Sequence, residues 1–96
     1  MSLSKKTNIV KIRKKLDLLD NKLLNIIDKR TTLVKKILQN KSSKKEIVDK
    51  KRIKTVLGNI KKKSIRKKID TKLTEMIWKA MIKGFINYEY RNFKKK

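Results

Sequence analysis

The 96-residue chain has no cysteine, no histidine and no proline, and only two glycines, Gly58 and Gly84. Without cysteine there are no disulfides and no thiolate metal sites. With histidine missing as well, zinc chemistry and histidine acid–base catalysis are excluded, and neither a metal nor a cofactor is expected. The lack of proline and scarcity of glycine leave little to break a helix, so an all-α chain is expected. No apolar run approaches the ~18 residues needed to span a bilayer. The opening MSLSKKTNIV lacks the apolar segment of a signal peptide, so a cytoplasmic location is expected. A chain this short forms one domain, residues 1–96, and buries a limited core alone, which favours association.

Acids are also few: 8 against 31 lysines and arginines, for a net charge of +23. One reading of such a charge is a nucleic-acid surface. The other is compositional drift, since Lys, Ile and Asn, all with AT-rich codons, supply 46 of the 96 residues. Three features favour drift. The lysines occupy nearly every polar position rather than one face. There are 26 Lys and only 5 Arg, although Arg is the better fork for phosphate. Aromatics for base stacking number five, four of them between Trp78 and Tyr90. A nucleic-acid partner is therefore not expected, and the arginines become the informative cations.

What the chain does have is a long apolar seam over residues 8–41. Ile9, Ile12, Leu16, Leu19, Leu23, Ile26, Leu33 and Ile37 follow one another in steps of three and four, the mark of one helix face. A first helix over about residues 7–41 would be ~50 Å long. A second stripe of Leu24, Ile27, Val34 and Leu38 runs beside the first, so the helix meets more than one neighbour. Arg30 occupies the seam position between Ile26 and Leu33. A cation there needs an anion, either a structural partner or a ligand.

Residues 1–7 and 91–96 are expected to be frayed tails, and the Ser-rich 42–46 a polar break. A second helix starts near Ile47 to Asp49 and buries Ile53, Val56, Leu57 and Ile60. Residues 61–68 form a basic connector. Asp70 caps a third helix. Leu73, Ile77, Ala80 and Gly84 lie on one line of that helix; Trp78, Ile82, Phe85 and Glu89 lie on another.

Helical geometry sorts the cations. Arg30 and Lys41 are eleven residues apart, about three turns, so they point the same way ~16 Å apart and a small dianion between them touches both. Arg13 lies ~25 Å from Arg30 along the same helix. An antiparallel pairing of two first helices centred near Leu24 brings the partner's Arg13 level with residue 35, between Arg30 and Lys41. On this hypothesis the site is shared between subunits. Read singly, each residue has a plainer role. Arg30 pairs with a neighbouring acid, Lys41 and Arg52 are solvated, Asp49 is a helix-end charge, Glu89 an amphipathic edge, and Phe85 core.

IRKKLDLLDNKLLNIIDKR followed by LVKKILQNK, IVDKKR, and MIWKAMIKGFINYE resemble the three helices of the all-α (AroQ-class) chorismate mutases. The resemblance covers roughly residues 8–90. It implies three helices per chain, one long and two shorter, in an intertwined helical homodimer. It implies a cofactor-free Claisen rearrangement of chorismate to prephenate, in aromatic amino-acid biosynthesis. By position, Arg13 matches the arginine supplied by the partner subunit, Arg30 and Lys41 the cations of the main subunit, and Asp49 and Arg52 the pair opening the second helix. Glu89 matches the site's Gln, a position where some members carry Glu. The implied catalytic set is Lys41, Glu89 and Arg30; the implied substrate-binding set is Arg13, Arg30, Lys41, Asp49, Arg52 and Phe85.

The chain departs from the family twice. Ile53 stands where a Glu usually follows the second-helix arginine, and Phe85 where Ser often precedes the Gln or Glu by one turn. The chemistry asks for what the residues offer. Two substrate carboxylates call for paired cations, for which bidentate Arg is suited. Charge developing on the breaking ether oxygen calls for a fixed donor. The alternatives are an isochorismate pyruvate lyase activity on the same fold, a basic helical nucleic-acid-binding protein, and a catalytically weakened regulatory dimer.

Overall fold

The computed structural model describes residues 2–94. Three α-helices follow in order, α1 (Leu3–Gln39), α2 (Lys50–Lys67) and α3 (Thr71–Asn92), with a 3-10 turn at Lys44–Glu46 between the first two. No strand occurs among the described residues, and no helix is long and apolar enough to cross a membrane. The chain divides into two units, one ending at Leu33 and one beginning at Val34.

The first unit is the greater part of α1. It begins at Leu3 rather than near Thr7, because Ser2 supplies a start: its Oγ accepts from the Lys5 N–H at 3.3 Å, as an N-capping hydroxyl does. Residues 3–7, expected to fray, are helical. Every side chain on this stretch is exposed or half-buried. The seam is intact as a pattern but uncovered: Ile12 is 56 % exposed, Leu23 54 % and Leu33 58 %.

The second unit holds the last turns of α1, the 3-10 turn, and the α2–α3 hairpin. Helix α1 stops at Gln39, two residues before the expected end. The N–H groups of Asn40 and Lys41 bond back to the carbonyls of Ile37 and Leu38 at 3.0 and 3.1 Å. These three-residue loops tighten and end the helix. Leu38 and Ile47 are the buried apolar side chains among the described residues. Helix α2 starts at Lys50. Asp49, the acid expected in its first turn, is instead its cap, Oδ1 accepting from the Arg52 N–H at 2.9 Å. Ile53, Val56, Leu57 and Ile60 are half-buried as expected.

The basic stretch 61–68 is not a connector, since α2 continues through Lys67. Its i, i+3 and i, i+4 apolar positions run on through Ile60 to Ser64, which is buried and meets Thr74 of α3 hydroxyl to hydroxyl at 2.8 Å. The turn out of α2 is made by Lys68, whose φ of 58° is left-handed. The Ile69 N–H then closes onto the Ser64 carbonyl at 2.9 Å, a helix-ending bond that usually recruits glycine. Asp70 caps α3, accepting from the N–H groups of Lys72 and Leu73 at 2.8 and 3.1 Å.

Helix α3 separates its two lines. Trp78, Ile82 and Phe85 are half-buried and Glu89 is buried, while Leu73, Ile77, Ala80 and Gly84 are exposed. The helix runs to Asn92, into the expected tail; residues 95 and 96 of that tail lie outside the described residues.

Candidate active site

The early end of α1 turns Lys41 out of the helix and towards α3. Its Nζ donates to Glu89 Oε1 at 2.8 Å and, more weakly, to the Ile47 carbonyl at 3.5 Å. Ile47 is 3 % exposed, and its burial pins the loop that offers this carbonyl. Glu89 reaches Lys41 because it sits one turn beyond Phe85 on the inward line of α3. Burying a carboxylate is costly unless it is paired. Here Glu89 is 6 % exposed and Lys41 is its pair. An ammonium has three donors, and Lys41 spends two on protein oxygens. The third is available to a ligand.

Lys41 also lines an open depression with Glu46, Val48, Asp49 and Lys50. Asp49 therefore shares the rim with Lys41 while its Oδ1 caps α2. The Arg52 side chain is exposed on the first turn of α2. Glu46 holds the loop: its Oε2 accepts from the Ser43 N–H at 2.8 Å and from the Ser42 N–H. Phe85 is half-buried, one turn before Glu89.

The structure thus joins Lys41 to Glu89 and places Asp49 at the same depression. Arg13 and Arg30 both belong to the first unit, exposed on α1 and separated by seventeen positions, ~25 Å of helix. No group of three Asp or Glu that could hold a metal ion occurs among the described residues.

Sequence reasoning missed the Ile47 carbonyl and the roles of Glu46, Val48 and Lys50. Glu46 had a signal: Ser43 and Glu46 have the S-x-x-E spacing of a capping box, which marks a built turn rather than a loose break. The carbonyl had none, because a backbone oxygen leaves no trace in residue type.

No curated protein and no solved structure gives a significant match to the chain. The family model for chorismate mutase type II matches residues 12–90. That span holds Arg13, Arg30, Lys41, Asp49, Arg52, Phe85 and Glu89 together with all of α2. With most of its length so matched, and with three helices and no strand among its described residues, the chain belongs to the chorismate mutase type II family.

Proposed function

We propose that this chorismate mutase works as a homodimer whose site is completed by Arg13 of the partner subunit. The observation that supports this most is the buried Lys41–Glu89 pair at 2.8 Å. It holds one ammonium in a fixed place, with a donor to spare, beside an open depression. The reaction is unimolecular, so the protein's task is to hold one conformer and stabilise developing charge. Lys41 is one donor to the breaking ether oxygen; Glu89 fixes its ammonium and stands where a second donor to that oxygen belongs. Asp49 takes the substrate hydroxyl.

Charge explains why a second chain is needed. Around the depression, Lys41 and Lys50 are matched by Glu46 and Asp49, and Lys41 is already engaged by Glu89. A dianionic substrate needs further cations, and Arg30, Arg52 and the partner subunit's Arg13 supply them as bidentate forks. The uncovered seam on α1 supports the same conclusion. Burying what is still exposed of a half-exposed Leu or Ile side chain contributes roughly half of the 1.5–3 kcal/mol of a fully exposed one, about 1 kcal/mol. Ile12, Leu16, Leu19, Leu23, Ile26 and Leu33 are all more than half exposed. On α3, Leu73 and Ile77 are about half exposed, and at Gly84 an added Cβ would meet nothing within 4 Å. This leaves a smooth stripe for a partner's helix. The lack of cysteine suits a cytoplasmic enzyme.

The test has two steps. Purified protein should consume chorismate, read as loss of its absorbance, and yield prephenate. Inactive Arg13→Ala and inactive Arg30→Ala proteins, mixed and allowed to exchange subunits, should regain activity, because each heterodimer has one intact site of two. If exchange is demonstrated and no activity returns, the shared site is wrong.

A further inference from the structure

Helix α2 is the most densely cationic of the three helices. Its 18 residues contain nine cations and no acid. The 37 residues of α1 hold eleven cations and three acids, and the 22 of α3 hold four cations and two acids. Because α2 is helical through Lys67, these cations stand on one rigid rod about 27 Å long. At 100° per residue, the side packed towards α3 takes Ile53, Val56, Leu57, Ile60 and Ser64. Eight of the nine cations lie on an arc of roughly 220° opposite, and Lys67 falls beside the packed side. All of them are exposed.

Helix physics does not ask for this. Arg66 and Lys67 in the last turn suit the macrodipole, but Lys50, Lys51 and Arg52 in the first turn oppose it. Lys50 and Lys54, Lys62 and Arg66, and Lys63 and Lys67 are like-charged neighbours at i, i+4, which repel. A bound polyanion would relieve both.

We infer that the outer face of α2 is a docking surface for the phosphate backbone of double-stranded DNA, independent of base sequence. A helix 10–12 Å across fits a B-form major groove about 12 Å wide, with cations facing both phosphate walls. The A-form major groove of RNA is too narrow. Helix α2 has no aromatic side chain and only two arginines, Arg52 and Arg66, so it offers neither a stacking platform for single strands nor a set of base-reading forks. Phosphate contacts without base readout remain.

The experiment is fluorescence anisotropy with two labelled 20-base-pair duplexes of unrelated sequence, titrated at several salt concentrations. The whole protein is used, with chorismate turnover as the check of folding. Both duplexes should bind within about twofold of each other, with a steep salt dependence. Replacing Lys54, Lys61, Lys62 and Arg66 together by Gln should lower the salt slope by about 3–4 and the affinity at 0.1 M salt by about 100-fold. Turnover should be unchanged. The same charge removed from Lys5, Lys6, Lys11 and Lys14 of α1 should cost less than about fivefold. Equal losses in the two variants would mean attraction by net charge alone and overturn the assignment. Tighter binding of polyglutamate of matched charge would overturn it in favour of an acidic protein segment. Lysine acetylation read by mass spectrometry needs no variant. Duplex should protect Lys54, Lys61 and Lys62 above the α1 lysines, and even protection would again refute a site on α2.

Discussion

Replacing Glu89 by Gln separates the two tasks its carboxyl can perform. One task is to hold Lys41, and the pair stands at 2.8 Å with the two side chains 17 % and 9 % exposed. The amide keeps an acceptor for the Lys41 ammonium but loses the charge, so the bond weakens from a charge-paired one to an ordinary charge-assisted one. That costs about 1–2 kcal/mol of stability. Ala removes the acceptor altogether and leaves Lys41 facing a cavity. Breaking a buried pair costs about 3–5 kcal/mol, but a 17 % exposed ammonium can turn partly to water, so roughly 2–3 kcal/mol is expected. The other task is to donate to the ether oxygen. An ionised carboxylate has no proton to give, whereas a protonated carboxyl and an amide both do. A single fixed donor to developing charge is worth about 2.7–4 kcal/mol, or 10²–10³ in rate. Glu89→Gln should therefore raise kcat/KM near pH 7 by about tenfold or more despite its stability cost, while Glu89→Ala should lower it by about 100-fold. The gain in the Gln variant should appear in kcat rather than in KM, because the added donor serves the transition state. The assays are urea unfolding at fixed protein concentration and chorismate turnover at neutral pH. An unchanged kcat/KM in the Gln variant would show that Glu89 does not reach the ether oxygen. A cost below about 0.5 kcal/mol for Ala would show that the pair is not formed.

Lys68 holds a left-handed φ of 58°, so Lys68→Gly should stabilise the fold by roughly 0.5–1 kcal/mol, seen as a higher urea midpoint; a lower midpoint would mean the cap is strained for another reason. Sedimentation at micromolar concentration should show dimers only, because α1 leaves its seam uncovered in one chain; a folded monomer there would refute the dimer. The hydrogen bond and charge of Lys79, at 2.8 Å across one turn, hold the exposed Glu75 carboxyl below its ordinary range. A lowered carboxylate stabilises the fold above its unfolded value and stops doing so as pH falls. NMR titration should show Glu75 returning towards the ordinary value in Lys79→Met, and no change there would mean the pair is absent in solution.

What could be read from the residues alone was whatever follows from local periodicity. The apolar steps of three and four located α1, the inward line of Trp78, Ile82, Phe85 and Glu89, and the buried face of α2. The capping side chain Asp70 marked the start of α3, because a cap acts on N–H groups two or three residues away, whereas Asp49, read as a helix-end charge, proved to be the cap of α2. The errors were of another kind. Residues 61–68 were expected to be a solvated connector, since six cations conceal one buried contact. That contact, Ser64 to Thr74, joins two helices through polar atoms and leaves no apolar period to count. Ser2 extended α1 at its start for a similar reason: one hydroxyl outweighed a polar composition.

The site divides along the same boundary. Arg30 was conspicuous because it interrupts an apolar seam, and a charge out of place can be seen in one dimension. The Lys41–Glu89 ion pair could not be: the family resemblance put both residues in one catalytic set, but 48 positions separate them and each looks ordinary among 26 lysines and 8 acids. Only the fold, by ending α1 at Gln39 and packing Ile47 into the core, brings that ammonium to that carboxylate. Arg13 and Arg30 lie ~25 Å apart on one rod, farther than one small dianion can bridge. A site using both must take them from two chains, and for that reason subunit exchange between the Arg13→Ala and Arg30→Ala proteins tests the mechanism and the assembly at once.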